Sequence, residues 1–230
     1  YEDGVFNLNG GSDALNLLTL KGGHVTGRSL ATYNPVLALT GGVTTLASSQ
    51  TALIEQLNLG MSANAFTFNV ASGTTASGVD LQMDGIIQNY VGFTGTGTNT
   101  SMAKTGTGTM VLNNANTYQG VTDIQQGVLN IRNNNALSQV CPSNGSLSNG
   151  TVVASGAQLQ VQGGLTIGNE TLTLNGTGIS NTGALLNQAD NNTYNGFVYL
   201  GSDSRINANA GSTLTIANTG GVNSSIMNGS

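Results

Sequence analysis

Ten acids, five bases, one histidine and one cysteine are all that this 230-residue chain offers to ionic or nucleophilic chemistry. Glycoside hydrolysis needs two carboxylates a few ångströms apart, one of them carrying a proton. Asp80 and Asp84 form the close internal pair, but at i and i+4 on a strand they share a face ~13 Å apart, too far for shared chemistry. They read as exposed polar residues beside a turn. Glu55, Asp123, Glu170, Asp190 and Asp203 stand alone in sequence, and Glu2-Asp3 with Asp13 is a weak cation candidate. His24, in Gly22-Gly23-His24-Val25, reads as a turn residue, and one histidine builds no His-based metal site. Cys141, beside Pro142, reads as a small buried or corner residue: it has no partner for an internal disulfide and no Cys or His at zinc spacing. The Thr-Gly-Thr-Gly tracts at 94–98 and 105–109 are not phosphate loops, because no Gly-Lys-Ser/Thr follows them. The expectation is a chain without catalytic residues, cofactor or metal.

The elements that carry these residues are short. Apolar-alternating runs recur at Leu15–Leu20, Val36–Leu39, Leu53–Leu59, Phe66–Val70, Val79–Met83, Met110–Leu112, Val128–Ile131, Val152–Val153, Leu159–Val161, Leu172–Leu174, Phe197–Leu200 and Leu214–Ile216. Gly, Asn, Ser or Asp separates almost all of them. Alternate residues of a strand face one way, so each run turns two or three side chains inward. No long stretch keeps apolar residues at helical spacing. Charged residues are 7% of the chain and hydrophobic ones 38%, with 34 glycines and two prolines, so the polarity comes from uncharged Asn, Thr, Ser and Gln. That balance suits a folded all-β chain rather than a disordered one. A net charge of −5 with scattered Lys21, Arg28, Lys104, Arg132 and Arg205 argues against nucleic acid. No apolar run is long enough to insert in a membrane as a helix. The opening Tyr1-Glu2-Asp3-Gly4 has no basic start or apolar region, which reads as a mature form or a piece of a longer protein.

The segment 104–137 is the most ordered in its pattern. Lys104, Gly106, Gly108, Leu112, Ala115, Asn116, Tyr118, Gly120, Thr122, Gly127, Leu129 and Ala136-Leu137 fall in an order that resembles the passenger-associated repeat of bacterial autotransporters, also called the autotransporter-associated β-strand repeat. Segments Val152–Val161, Thr171–Gly178 and Gly211–Ile216 have a similar cadence; the first hundred residues are similar more loosely, at Leu18–Gly23 and Ala76–Leu81. The resemblance implies a right-handed parallel β-helix displayed outside the cell, and it implies no particular activity. Gly106, Gly108, Leu112, Asn116, Tyr118, Gly120, Thr122, Gly127 and Leu129 are its structural repeat positions.

Runs spaced near twenty residues predict roughly ten coils in a rod about 50 Å long. No domain break is evident across 1–230, although 92–104 is the most linker-like stretch. One coil loses about 1–2 kcal/mol of backbone entropy per residue and cannot fold alone, so coils must stack. Neither end carries a capping helix or a charged edge. The expectation is continuation, either in a longer parent or by self-association end-to-end or side-by-side. The implied function is structural: an extracellular stalk, adhesin shaft or fibre subunit on a bacterial surface, touching glycans, host or neighbouring cells. A polysaccharide-degrading β-helix enzyme is the alternative. An ice-binding solenoid is a third reading, through Thr94-Gly95-Thr96, Thr105-Gly106-Thr107, Thr171-Leu172-Thr173 and Thr213-Leu214-Thr215, whose spacing is irregular.

Overall fold

A computed structural model describes residues 3–27, 35–91, 100–137, 150–168, 170–217 and 226–228. Its strands are short, parallel, and paired with strands one coil away rather than with sequence neighbours, which defines a parallel β-solenoid of about seven turns. The first sheet has nine strands, the second eleven and a third three. Each rung repeats the inward pattern of the one before. In the first sheet Phe6, Val25, Ile54, Met83, Leu112, Ile131 and Val161 form one inward column. In the second, Leu18, Val43, Phe68, Lys104, Ile124, Val153, Leu174 and Leu200 form another. These columns meet in one continuous core running the length of the stack. Phe66 and Phe68 add a tilted ring pair at 5.1 Å within it.

The third side of the coil is carried by Asn58–Met61 and Ile86–Asn89, and further along by Thr166–Ile167, Asn191–Tyr194 and Thr213–Ile216. Between these, residues 116–118 and 135–136 hold the same side by single hydrogen bonds from coil to coil. The coil count is lower than the expected ten because coils are longer than twenty residues where the third side is fully built. Asn116 bonds a residue 29 positions earlier in the preceding coil and one 20 positions later in the following coil.

Three local expectations are corrected. The run Leu53–Leu59 is two strands, Ala52–Glu55 and Asn58–Met61, because the chain turns at Gln56 with φ +55°. Of the linker-like stretch, Ser101–Thr105 is a strand of the second sheet, while 92–99 lies outside the described residues. His24 opens the strand His24–Thr26 rather than sitting in a turn: Gly22 and Gly23 before it, at φ +63° and +73°, supply the corner. Cys141 and Thr94–Thr96 lie outside the described residues.

Toward one end of the stack Leu8, Leu15 and Leu20 are partly buried, and toward the other Leu200, Ile206, Leu214 and Ile216. Among the described residues Val5–Asn7 and Asp13–Leu20 each pair on one side, and Val5, Phe6 and Leu17 are 65%, 43% and 52% exposed.

Candidate functional site

The coil built by residues 101–131 is densely hydrogen-bonded. Its first strand, Ser101–Thr105, places Lys104 in a column that is otherwise apolar, between Phe68 and Ile124. Lys104 is completely buried. Its Nζ donates to the carbonyls of Thr105 at 3.0 Å, Gly106 at 2.8 Å and Gln126 at 2.9 Å, the last in the following coil. Desolvation lowers its pKa from 10.5 to about 8, with the Asp80 carboxylate opposing the shift. Asp80 belongs to the preceding coil and is itself nearly buried, contrary to the exposed-turn expectation. Its Oδ1 accepts from the Gly73 N–H at 2.7 Å and its Oδ2 from the Thr109 N–H at 2.8 Å. One lysine and one aspartate therefore stitch the corner across three successive coils.

The glycines of the repeat make that corner possible. Gly106 has φ +73°, and a Cβ on Gly127 would lie 2.5 Å from the Gly106 carbonyl oxygen and 2.6 Å from that of Gly108. A Cβ on Gly108 would lie 2.6 Å from the Ala71 oxygen. Leu112 and Leu129 fill the inward columns, the latter between Met110 and Leu159. Thr122 points inward between Met102 and Thr151, and its hydroxyl is 2.5 Å from that of buried Tyr118. Burial pushes the Tyr118 phenol well above its ordinary pKa; the Thr122 bond opposes this and the Glu170 carboxylate adds to it. Glu170, which stood alone in sequence, is buried and accepts from the Thr151 hydroxyl at 2.5 Å.

Asn116 is the hub of the third side. Its Oδ1 accepts from the Ile87 N–H at 2.8 Å, and the next residue, Thr117, donates its N–H to the Ile87 carbonyl at 2.9 Å. Asn116 Nδ2 donates to the Ala136 carbonyl at 2.6 Å, and its N–H to that of Asn135 at 2.8 Å. One buried side chain thus satisfies backbone groups on the coil before and the coil after, groups that would each cost about 1–3 kcal/mol if left unpaired. Gly120 closes the corner against the backbone of Thr100 and Ser101, with no space for a Cβ.

The acids are arranged differently from their sequence spacing. Asp80 and Asp84 do separate work. Asp84 instead stacks one rung from Glu55, since Ile54 pairs with Met83, and the two line a groove of about 390 Å³ with Gln56, Asn58, Gly85 and Asn114. His24 Nδ1 lies 3.4 Å from Glu55 Oε1 on the neighbouring rung. Both Asp84 oxygens accept from the Gln82 amide, and Oδ1 also from the Asn113 amide. Among the described residues no three His, Cys, Asp or Glu side chains stand close enough to hold a metal ion. Of the threonine pairs, Thr171 is buried and Thr173 faces out beside Tyr199; Thr215 aligns with Thr193 and Thr166 in a rank of three, on the three-stranded sheet.

The inward role of Lys104 and the burial of Asp80 were missed in the sequence. The available signal was phase: Met102 and Lys104 alternate as Phe66 and Phe68 do, which places the lysine on the core face.

Residues 102–131 match the family model of the passenger-associated-transport-repeat. This stretch belongs to the autotransporter passenger repeat family, and the solenoid is the fold that such a repeat builds here. Comparison with curated proteins and with solved structures finds no match. The family implies export to the cell surface.

Proposed function

We propose that this chain is a structural segment of a surface-displayed passenger: a stalk, an adhesin shaft or a fibre-forming subunit. The observation that supports this reading is the ladder itself, parallel through the nine and eleven described strands of its two main sheets, with one register shift between Leu15 and Leu17. Every rung shares backbone hydrogen bonds and core contacts with the next, so stiffness follows from nearest-neighbour stacking along one axis. The outward column of the first sheet mixes amides and hydrocarbon: Leu53, Gln82, Val111, Asn130, Gln160, Leu186 and Asn207 follow one another, with Asn130 Nδ2 donating to Gln160 Oε1 at 3.0 Å and Val111, Asn130 and Leu186 buried. An uncharged column of this kind suits a neighbouring rod or a glycan. The exposed rungs at Val5–Asn7 and Asp13–Leu20 suit a further coil, whether of the parent chain or of a second copy. Residues 1–230 act as a single segment on this reading. Electron microscopy of the purified protein tests it: rods about 40 Å long, or linear multiples of them, are expected, whereas globular particles overturn it.

A glycan-cleaving enzyme is the second reading, favoured by the stacked Glu55 and Asp84 with His24 against them. Asp84 is tied by two amide side chains and sits as a structural acceptor, which weighs against it. A panel of polysaccharides assayed for reducing-end release decides: activity lost in both Glu55→Gln and Asp84→Asn establishes it, and none in the unaltered chain removes it.

A further inference from the structure

The family match ends at residue 131, but the architecture does not. Asn192-Thr193-Tyr194-Asn195-Gly196 repeats the order of Asn116-Thr117-Tyr118-Gln119-Gly120. The repetition extends to contacts. Asn192 Oδ1 accepts from the Leu165 N–H at 2.7 Å, and Thr193 donates its N–H to the Leu165 carbonyl at 2.8 Å. That is the clasp that Asn116 and Thr117 close on Ile87, with the same two groups of one residue in the preceding coil held by the same two positions. Tyr194, like Tyr118, is completely buried. A Cβ on Gly196 would collide with the Glu170 backbone, as one on Gly120 would with Thr100. Each motif then enters a strand of the second sheet, Thr122–Ile124 or Val198–Leu200.

The upstream half corresponds as well. Strand Leu172–Leu174 is followed by Gly176-Thr177-Gly178, as Ser101–Thr105 is followed through Gly106-Thr107-Gly108. Gly106 and Gly176 both have φ +73°. Each tract feeds a strand of the first sheet, Thr109–Leu112 or Leu185–Asn187. Leu174 occupies the inward column position of Lys104, and the carbonyls of both accept from the next coil, from Gln125 and from Gly201. Two insertions disguise the copy: the 3-10 turn Ile179–Asn181, and one extra residue between Asn187 and Asn192.

We infer that residues 172–200 are a second, diverged copy of the passenger repeat coil, and that Asn192 is its backbone clasp, locking the coil to Leu165. The clasps lock the third side by a side chain, and elsewhere that side is held by strand pairing, as between Asn58–Met61 and Ile86–Asn89 and between Asn191–Tyr194 and Thr213–Ile216. The copy rests on internal geometry and stands whether or not the protein is a stalk.

Residue-resolved amide hydrogen exchange by NMR tests it in Asn192→Ala, together with the through-hydrogen-bond coupling between the Leu165 amide nitrogen and the Asn192 side-chain carbonyl carbon in the unaltered chain. In Asn192→Ala the Leu165 and Thr193 amides exchange about tenfold faster or more, as loss of a buried hydrogen bond requires, while Ile87 and Thr117 keep their protection. Unchanged exchange at Leu165 in Asn192→Ala overturns the inference. If Asn192→Ala does not fold, the unaltered chain decides alone: the coupling supports the clasp and its absence refutes it.

Discussion

The coils around Asn116 and Asn192 use one device with two different anchors. Both asparagines hold the N–H of a residue in the preceding coil, Ile87 or Leu165. Their amide nitrogens then part ways. Asn116 Nδ2 reaches forward to Ala136, so it joins three coils. Asn192 Nδ2 turns back to Asn187 Oδ1 and the Ala189 carbonyl within its own coil, where the chain carries one more residue. The second difference lies in the core column, where one coil has a charged Lys104 on three carbonyls and the other has Leu174. The contrast teaches that the repeat needs its inward column filled and its corner carbonyls met, and that a hydrocarbon or an ammonium can do the filling.

The largest expected effect comes from the corners that leave no room. Gly120→Val and Gly196→Val both force side chains into backbone, and neither chain should give a cooperative thermal transition by circular dichroism. Next is the column. Lys104→Ala strands three carbonyls and leaves a cavity, so a loss of about 3–5 kcal/mol in urea unfolding is expected, while Leu174→Ala costs about 2–5 kcal/mol by cavity alone. Lys104→Met keeps the volume and removes the buried charge; its cost should fall well below that of Lys104→Ala.

A pH series sharpens the same comparison. The folded chain holds the Lys104 proton with a pKa of about 8 against the ordinary lysine value of 10.5. Between these values the unfolded chain binds the proton that the fold releases, so this group makes stability rise with pH there, and contributes no slope below 8. Tyr118 acts oppositely at the alkaline end, because its raised pKa keeps the phenol neutral in the fold while the unfolded chain ionises. Thermal midpoints from pH 7 to 10 should lose the Lys104-dependent rise in Lys104→Met. The smallest effect is Tyr118→Phe, about 1 kcal/mol, since it removes one bond to Thr122 and leaves the ring in place.

Much of the stack was legible in the residues. Runs such as Phe66–Val70 and Val128–Ile131 alternate cleanly, and the motif from Gly106 to Leu129 placed two rungs and their corners. What escaped has a common cause: the rungs that use polar side chains inward. Thr122–Ile124 and Asn191–Tyr194 turn Thr122, Asn192 and Tyr194 into the protein, and hydrophobic alternation does not register them. Asp80 was read as exposed because charges normally are, and Lys104 was counted only among scattered bases and repeat positions; one partner of each lies 29 and 22 residues away in sequence. Coil length was underestimated for a related reason, since the third side is bound by single backbone contacts such as Thr117 to Ile87. The second repeat coil was hidden by insertions, although the five residues from Asn192 to Gly196 were a sufficient signal.

The account turns on buried asparagines tying neighbouring coils through their backbone. Urea unfolding of Asn116→Ala and Asn192→Ala, measured side by side at neutral pH, tests it most directly. Asn116→Ala, which strands groups on two other coils, and Asn192→Ala, which strands the Leu165 N–H together with Asn187 Oδ1 and the Ala189 carbonyl, are each expected to cost about 2–4 kcal/mol; a cost under about 1 kcal/mol at either position would contradict it.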